Sequence, residues 1–316
     1  MISTLGRAFG VIVAIALLMS ATASAKDYRF MTGPQGGSWY PLGGAISNFV
    51  RDNDLGMRLR VMPGGGISNV IAVERGKASF GFGNVTSTVD AMEGRAPFKG
   101  RSTEVRHLVS LYPQWFQFVT AASSGIITIA DMAGRDIAVG PRGHSGEQAT
   151  RHALAVFGLS YDDLGKVNHV GYTDSVALLK DGHIDAFGVL TSVPSGAIMD
   201  TASSRPIRLL SISDESLVAL QQFNPQYVRR IIPAGAYPGL DEDLDTFGTW
   251  THMIARADVP DDVVYAVVEA LVAHVGDMAA VVNAMQSATI ESLATPVGVP
   301  FHPGAAQFFR DQGVME

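Results

Sequence analysis

The chain has 316 residues, a formal net charge of −7, and 47% hydrophobic against 17% charged residues. A chain of this length can form two domains that each bury their own core, and the high apolar content excludes intrinsic disorder. Lys and Arg are scattered along an acidic chain, which argues against nucleic-acid binding. Because there is no cysteine, disulfides, thiolate metal sites and cysteine nucleophiles are excluded as well.

The first 25 residues have the pattern of a secretory signal peptide. Arg7 supplies a positive charge, residues 11–19 form an apolar stretch too short to span a bilayer comfortably, and Ala23–Ala25 provides the small residues of a cleavage site. Lys26 is then the first mature residue, and the protein is exported to the periplasm. The alternative is a retained membrane anchor. No later apolar run reaches the roughly 20 residues of a spanning helix.

From residue 28 onward, short apolar β-prone segments alternate with helical segments, which is typical of a parallel α/β architecture. The pattern predicts strands at 28–31, 57–62, 78–82 and 135–139, and helices at 42–50, 69–75, 148–157 and 260–274, with a further helix after 83–87. Four loops follow a predicted strand and precede a predicted helix: 33–38, 63–66, 83–87 and 140–146.

These four loops are expected to meet at one edge of the sheet, outside the carboxyl ends of the strands. Free N–H groups and the positive ends of helix dipoles point toward that edge, so an anion is the favoured ligand there. A single glycine-rich loop is more simply read as a tight turn. Four such loops at the same edge of the sheet favour a binding cleft.

Two extended stretches are predicted to connect two lobes. Residues 107–120 are rich in aromatic side chains, and residues 247–256 follow a segment rich in Pro, Gly and Asp. The chain would therefore cross twice, giving one lobe from 26–119 with 249–316 and another from 120–248. Hinge bending is expected near 117–120 and 247–249.

The sequence contains little that indicates catalysis. Asp181, His183 and Asp185 either face a metal or form an ordinary turn into a strand. The stretch 143–146 is not a G-x-S-x-G elbow, although a triad that uses Ser145 and is assembled in space stays open. There is no P-loop or dinucleotide fingerprint, so no cofactor and no resident metal are predicted.

Several side chains near the loops suit a binding site. Arg142 either pairs with a carboxylate or is a solvated loop arginine. Asn84, Thr86 and Ser87 either contact a ligand or cap the helix that follows. Four aromatic residues either form the walls of a small-molecule cleft or pack in the core: Trp39, Tyr40, Tyr112 and Trp115.

Five stretches in order resemble the TAXI family, the extracytoplasmic solute receptors of TRAP transporters (tripartite ATP-independent periplasmic). Residues 33–44, read GPQGGSWYPLGG, are similar to the family's G-x-x-G-G-x-x-Y-x-x-G opening. The other four are PGGGISN at 63–69 with RGK at 75–77, DMAGRDIAVG at 131–140, GHIDA at 182–186 followed by Pro194, and FHPGAAQFFRDQG at 301–313. Together they span most of residues 28–313.

This resemblance implies a type II-like periplasmic binding protein of two lobes, each a mainly parallel sheet flanked by helices. It implies a non-enzymatic monomer that closes on a small molecule and delivers it to the subunits of a TRAP membrane permease. Carried over by position, the implied ligand-binding residues are Gly36, Gly37, Ser38, Trp39, Tyr40, Asn84, Thr86, Tyr112, Arg142, His144, Ser145, Gly146, Thr191, Ser192 and Pro194.

The sequence departs from the family pattern at two of these loops. The stretch 143–147 carries an extra His144, and Glu147 stands where the family has Thr. Trp39–Tyr40 replaces the more usual Tyr–Tyr pair. The family's common ligands, glutamate and glutamine, are therefore not transferred directly. The predicted ligand is a small carboxylate, either an amino acid or a 2-oxo or dicarboxylic acid.

Two other functions remain as alternatives. The protein can be a sensor that passes ligand binding to a membrane signalling partner rather than to a permease. Less favoured is a hydrolase that uses Ser145 or His144 in the cleft. Loss of turnover in Ser145→Ala would support the hydrolase, whereas a neighbouring gene for a multi-span permease would support the receptor.

Overall fold

The computed structural model describes residues 25–53 and 55–316. The predicted signal peptide up to residue 24 lies outside the described residues. The strands are β1 (Lys26–Met31), β2 (Met57–Met62), β3 (Phe80–Asn84), β4 (Val105–Ala121), β5 (Ile137–Ala138), β6 (Val167–Asn168), β7 (Ala186–Thr191), β8 (Ile207–Leu209), β9 (Val228–Ile232) and β10 (Leu244–Arg256).

The helices alternate with these strands through most of the chain and follow one another near its end. They are α1 (Trp39–Asp52), α2 (Gly66–Glu74), α3 (Val85–Glu93), α4 (Ser145–Val156), α5 (Tyr172–Lys180), α6 (Gly196–Ser204), α7 (Asp214–Phe223), α8 (Asp261–Ala273), α9 (Val275–Val281), α10 (Ile290–Leu293) and α11 (Pro303–Asp311).

One continuous sheet runs through the molecule in the order β2-β1-β3-β10-β4-β7-β5-β6, with β8 paired to β4 and β9 to β10. Strands β1, β2 and β3 pair in parallel, and so do β5, β6 and β7. The two long strands β4 and β10 pair antiparallel with each other and with their outer neighbours. The predicted α/β architecture with largely parallel outer strands is therefore confirmed.

Each half of the sheet has its own hydrophobic core. Helices α1, α8 and α11 pack on the half that contains β1–β3, where Phe30, Leu42 and Val264 are fully buried. Helix α4 packs on the half that contains β5–β7, where Phe118 and Leu154 are buried. We call these halves the first and the second lobe.

Strands β4 and β10 belong to both lobes, because each begins in one core and ends in the other. The predicted lobe boundaries, at 119/120 and 248/249, fall inside these two strands and remain a prediction. Among the residues that the structure describes, no single helix is long and apolar enough to cross a bilayer. Helices α8 and α9 reach the required length and apolar character only when they are taken together, and a bend of 68° separates them.

The predicted elements occur close to their expected positions, but helices α1 to α4 begin two to three residues before the predicted start or inside the predicted loop. Ser145 and Gly146 are the first two residues of α4 rather than the end of a loop. Likewise Thr86 and Ser87 lie in the first turn of α3. His144, which precedes α4, is not a typical cap residue. Ser38 and Asn84, which precede α1 and α3, are typical cap residues but make no cap bond here.

Candidate functional site

A small cavity lies between the two lobes at the carboxyl ends of the parallel strands. Its volume is about 20 Å³, which is on the order of the space that one buried water molecule occupies. The first lobe and β4 contribute Pro34, Gly37, Ser38, Trp39, Gly65, Gly66, Asn84 and Gln114. The second lobe contributes His144, Ser145, Gly146, Tyr172, Leu190 and Thr191.

The N-termini of four helices meet at this interlobe cavity. The residues that precede α1, α2, α3 and α4 are Ser38, Gly65, Asn84 and His144, and all four line the cavity. None of them makes a side-chain hydrogen bond to its own helix. The positive ends of their dipoles are thus directed at one small volume, where negative charge is stabilised. Two of the first-turn N–H groups already have partners, since Ser68 donates to the Gly143 carbonyl and Thr86 donates to Thr249 Oγ1.

Helices that start away from the cavity include several that are capped in the ordinary way. The Ser213 side chain accepts a hydrogen bond from the Ser216 N–H at the start of α7, and Thr289 does the same for α10. His302 accepts a hydrogen bond from the Gly304 N–H at the start of α11. The starts of α5, α6, α8 and α9 also lack a side-chain cap. The starts of α1 to α4 are therefore distinguished by their meeting at one cavity and not by the missing caps alone.

Two glycines permit the lobes to touch. A Cβ built on Gly65 would overlap the His144 ring, and one built on Gly66 would overlap the Ser145 hydroxyl. Gly65 has extended backbone, with φ −165°. A glycine at this position is therefore explained by the close approach of the second lobe and not by an unusual backbone conformation.

Hydroxyl groups pair across the cavity. Ser87 Oγ lies 2.6 Å from Ser145 Oγ, joining α3 to α4. Ser38 Oγ lies 3.2 Å from Thr191 Oγ1 and accepts a hydrogen bond of 2.9 Å from the Tyr112 hydroxyl. These groups have both donor and acceptor capacity, so they can exchange their mutual bonds for bonds to a polar ligand.

Gln114 and Asn84 form the polar base of the cavity. The Gln114 side-chain amide is oriented so that both its oxygen and its nitrogen have hydrogen-bond partners. The oxygen accepts from Thr251 Oγ1 at 2.8 Å, and the nitrogen donates to Asn84 Oδ1 at 3.2 Å. Asn84 is 3% exposed, and its oxygen is occupied by Gln114. The Asn84 side chain lines the cavity, so its amide N–H groups are available to a ligand oxygen.

The lining contains no Asp, Glu, Lys or Arg among the described residues. Burial lowers the pKa of His144 to about 4, so its ring is neutral at physiological pH. Glu147 is buried in α4, but its carboxylate binds Arg151 Nη2 and the Tyr161 hydroxyl, each at 2.8 Å, and it does not line the cavity. Charge recognition in this cavity therefore depends on backbone and neutral donors.

The structure brings together eight of the predicted ligand-binding residues at the cavity: Gly37, Ser38, Trp39, Asn84, His144, Ser145, Gly146 and Thr191. Tyr112 is fully buried and reaches the cavity only through Ser38. Thr86 is buried in α3, where its N–H donates to Thr249. Ser192 is buried, and its carbonyl accepts from Gln117.

Four predicted residues lie away from the cavity lining. Gly36 has φ +83° and packs against Thr173, beside the cavity. Tyr40 is 38% exposed, and Arg142 is exposed on the loop before α4. Pro194 lines a separate groove with Trp115 and Trp250. A ligand carboxylate that pairs with Arg142 would therefore lie outside the cavity seen in this structure.

Sequence reasoning did not single out Gly65, Gly66, Gln114, Tyr172 or Leu190 as contact residues. The first two lie in the predicted loop 63–66. Gln114 is two residues from Tyr112 on β4, so alternation along the connector would have placed it on the same face. Tyr172 and Leu190 offered no comparable signal, because β6 has only two residues and Leu190 reads as an ordinary strand residue.

The catalytic alternatives are not supported by the arrangement. Ser145 Oγ pairs with Ser87 and not with a histidine. Within residues 25–53 and 55–316, no group of three or more His, Cys, Asp or Glu side chains could hold a metal ion.

The chain belongs to the NMT1-like family, whose model matches residues 30–313. Its fold is similar to that of a protein from Bordetella bronchiseptica RB50, with 18% identity, a TM-score of 0.53, and coverage of 93% of this chain and 90% of that chain. It is also similar to a protein from Listeria monocytogenes described as an L-cystine ABC transporter, with 10% identity, a TM-score of 0.51, and coverage of 81% and 94%.

A third similar structure is the periplasmic aliphatic sulphonate binding protein SsuA from Escherichia coli, with 14% identity, a TM-score of 0.47, and coverage of 90% of this chain and 83% of that chain. At these identities, the likeness to the first two structures shows the fold alone, which is the two-lobed α/β fold predicted from the sequence.

Proposed function

We propose that this NMT1-like protein is an extracytoplasmic receptor that binds a small organic anion between its lobes and delivers it to a membrane transporter. The observation that carries the proposal is the meeting of four uncapped helix N-termini at one interlobe cavity. Such helix starts bind anions through backbone N–H groups. The signal-like residues 1–25 support a periplasmic location for this activity.

Ligand entry requires the lobes to separate. A cavity of about 20 Å³ is too small for an organic acid, and the hydroxyl pairs Ser87–Ser145 and Ser38–Thr191 bridge it. Strands β4 and β10 are the segments that would bend, because they are shared by both lobes. A ligand that contacts both lobes favours the closed arrangement over the open one, and a transporter can recognise that arrangement.

The lining favours a carboxylate that carries no ammonium group. An amino acid would bury its ammonium without a carboxylate partner, since no Asp or Glu among the described residues lines the cavity. A buried charge without a partner is strongly unfavourable. Of the ligands that the sequence leaves open, we therefore favour 2-oxo and dicarboxylic acids over glutamate and glutamine.

The type of transporter is a separate part of the proposal. The five TAXI-like stretches support a TRAP permease, which is driven by an ion gradient, as the partner. A signalling protein is the alternative partner, and a receptor of an ATP-driven importer would show the same fold. A gene for a large multi-span permease beside this one, with no gene for an ATPase, is the arrangement expected of the TRAP assignment.

Thermal unfolding of the mature, refolded protein tests the ligand class. We expect 2-oxoglutarate, pyruvate or succinate to raise the unfolding temperature by several degrees, because a ligand at 100 times its Kd adds about 2.7 kcal/mol. Glutamate and alanine, matched in size, should give a smaller shift. Arg142→Ala should keep the shift, since Arg142 lies outside the lining. No response to any carboxylate would contradict the receptor proposal.

A further inference from the structure

The two lobes share a second polar contact outside the cavity. Asp90 on α3 of the first lobe is 2% exposed, and Asn224, which follows α7 of the second lobe, is fully buried. Asn224 Nδ2 donates to Asp90 Oδ2 at 2.8 Å. Neither residue lines the interlobe cavity. We call this contact the Asp90–Asn224 bridge.

Both partners of the bridge are held in place within their own lobes. The Asn224 oxygen accepts from the Gln226 N–H at 2.9 Å, which directs its Nδ2 toward the first lobe. The other carboxylate oxygen of Asp90 accepts from Arg95 Nε at 2.7 Å. The bridge is therefore preorganised, and forming it orders few additional groups.

The bridge also reaches the helix that carries the cavity residue Asn84. Asn224 Nδ2 lies 3.3 Å from the carbonyl oxygen of Thr86, in the first turn of α3. Separation of the lobes would break both contacts and would leave the amide and the carboxylate to water. The contact can exist only when the lobes are together.

We propose that Asp90 and Asn224 are positioning residues that set the affinity of the receptor by stabilising its closed arrangement without touching the ligand. This inference rests on the proposed function. A receptor whose binding-competent arrangement is only partly populated has its apparent affinity reduced by that fraction. The bridge favours the arrangement in which the lobes are together. It therefore tightens binding of any ligand whose bound arrangement keeps the bridge while the cavity, about 20 Å³ in this structure, widens to hold the ligand.

The absence of cysteine permits a direct test in the ligand-free protein. Spin labels on cysteines introduced at Met62 and Ala177, exposed positions in the first and second lobe, report the interlobe distance distribution by electron paramagnetic resonance. In Asn224→Asp, which opposes a second carboxylate to Asp90, we expect the distribution to move to longer distances. Asn224→Ala should move it in the same direction by a smaller amount.

Asn168→Ala is the matched control, because the Asn168 side chain donates only to the Ile137 carbonyl within the second lobe, so this variant should keep the parent distribution. A parent distribution in both folded Asn224 variants would overturn the proposal. For the acid that gives the largest thermal shift, we expect Asn224→Asp to weaken binding at least tenfold. Equal or tighter binding would show that the bridge stabilises an arrangement that excludes the ligand, and would overturn the proposal. A distance change with no response to any acid would leave the bridge standing and would count against the proposed receptor function instead.

Discussion

Single residues decide how closely the lobes approach, and Gly66 is the clearest case. A Cβ at this position would overlap the Ser145 hydroxyl across the cavity. The backbone of α2 itself accepts alanine readily, because Gly66 is its first residue and alanine is the better helix former. A substitution at this position can therefore hinder closure of the two lobes without lowering the free energy of unfolding.

We predict that Gly66→Ala leaves the unfolding temperature of the ligand-free protein unchanged or slightly higher, while it weakens ligand binding at least tenfold. Thermal unfolding and titration calorimetry measure the two quantities. Gly44→Ala is the control, since a Cβ there meets nothing within 4 Å. Equal affinities in the two variants would contradict the closed arrangement of the lobes.

A second residue-scale feature is a pair of buried histidines in the first lobe. His107 Nδ1 lies 3.0 Å from His252 Nδ1, and His252 Nε2 lies 2.8 Å from Thr88 Oγ1. Two ring nitrogens share a hydrogen bond only if one of them lacks a proton. Burial lowers the pKa of His107 from 6.5 to about 3, and the pKa of His252 falls for the same reason.

We predict that the free energy of unfolding falls as the pH drops below 6.5. The unfolded chain then binds protons that the folded state excludes, so this stability is fully present above pH 6.5 and is lost toward pH 3. The slope for one such histidine approaches about 1.4 kcal/mol per pH unit. In denaturant titrations between pH 7.5 and 5, His107→Asn should lower stability overall but show a shallower pH slope. An identical slope would contradict a neutral His107.

At the scale of elements, a capped helix start and a helix start at the cavity make different predictions. Ser213 caps α7 through the Ser216 N–H at 3.1 Å, whereas Asn84 makes no cap bond to α3. We predict that Ser213→Ala lowers the free energy of unfolding by about 1 kcal/mol, the usual cost of losing a cap, without changing ligand affinity.

Asn84→Ala should differ in its effect on ligand affinity. It weakens ligand binding because a residue that lines the cavity loses its side-chain donor, and it lowers stability because Gln114 loses the buried hydrogen bond to Asn84. Denaturant unfolding and titration calorimetry on both variants give the comparison. Unchanged ligand affinity in Asn84→Ala would contradict a role for Asn84 in binding.

The elements that were predicted from the sequence have the expected type and order, but their starts are less accurate. Strand 57–62 has the predicted bounds, because Met57 and Leu59 alternate with arginines and loops rich in Gly and Pro flank it. Helix α4 begins inside a predicted loop, and His144 before it is not a typical cap residue. Helix α3 also begins inside a predicted loop, although Asn84 before it is a typical cap residue.

At the scale of the whole molecule, the two-lobed organisation could be read from two long connectors, but the contacts between lobes could not. Ser87 and Ser145 are 58 residues apart, and Asp90 and Asn224 are 134 apart. Such pairs are produced by the angle at which the lobes meet, which no local pattern encodes. For the same reason the exposed position of Arg142 was not predictable from its place in a glycine-rich loop.

The central claim is that an anion is held at the four helix starts between the lobes. Backbone amide chemical shifts of isotope-labelled protein, recorded during titration with the acid that stabilises it most, test this directly. We predict the largest changes at Trp39, Gly66, Val85 and Gly146, one in the first turn of each helix. Changes confined to other surfaces, such as the groove beside Pro194 and Trp250, would contradict the account.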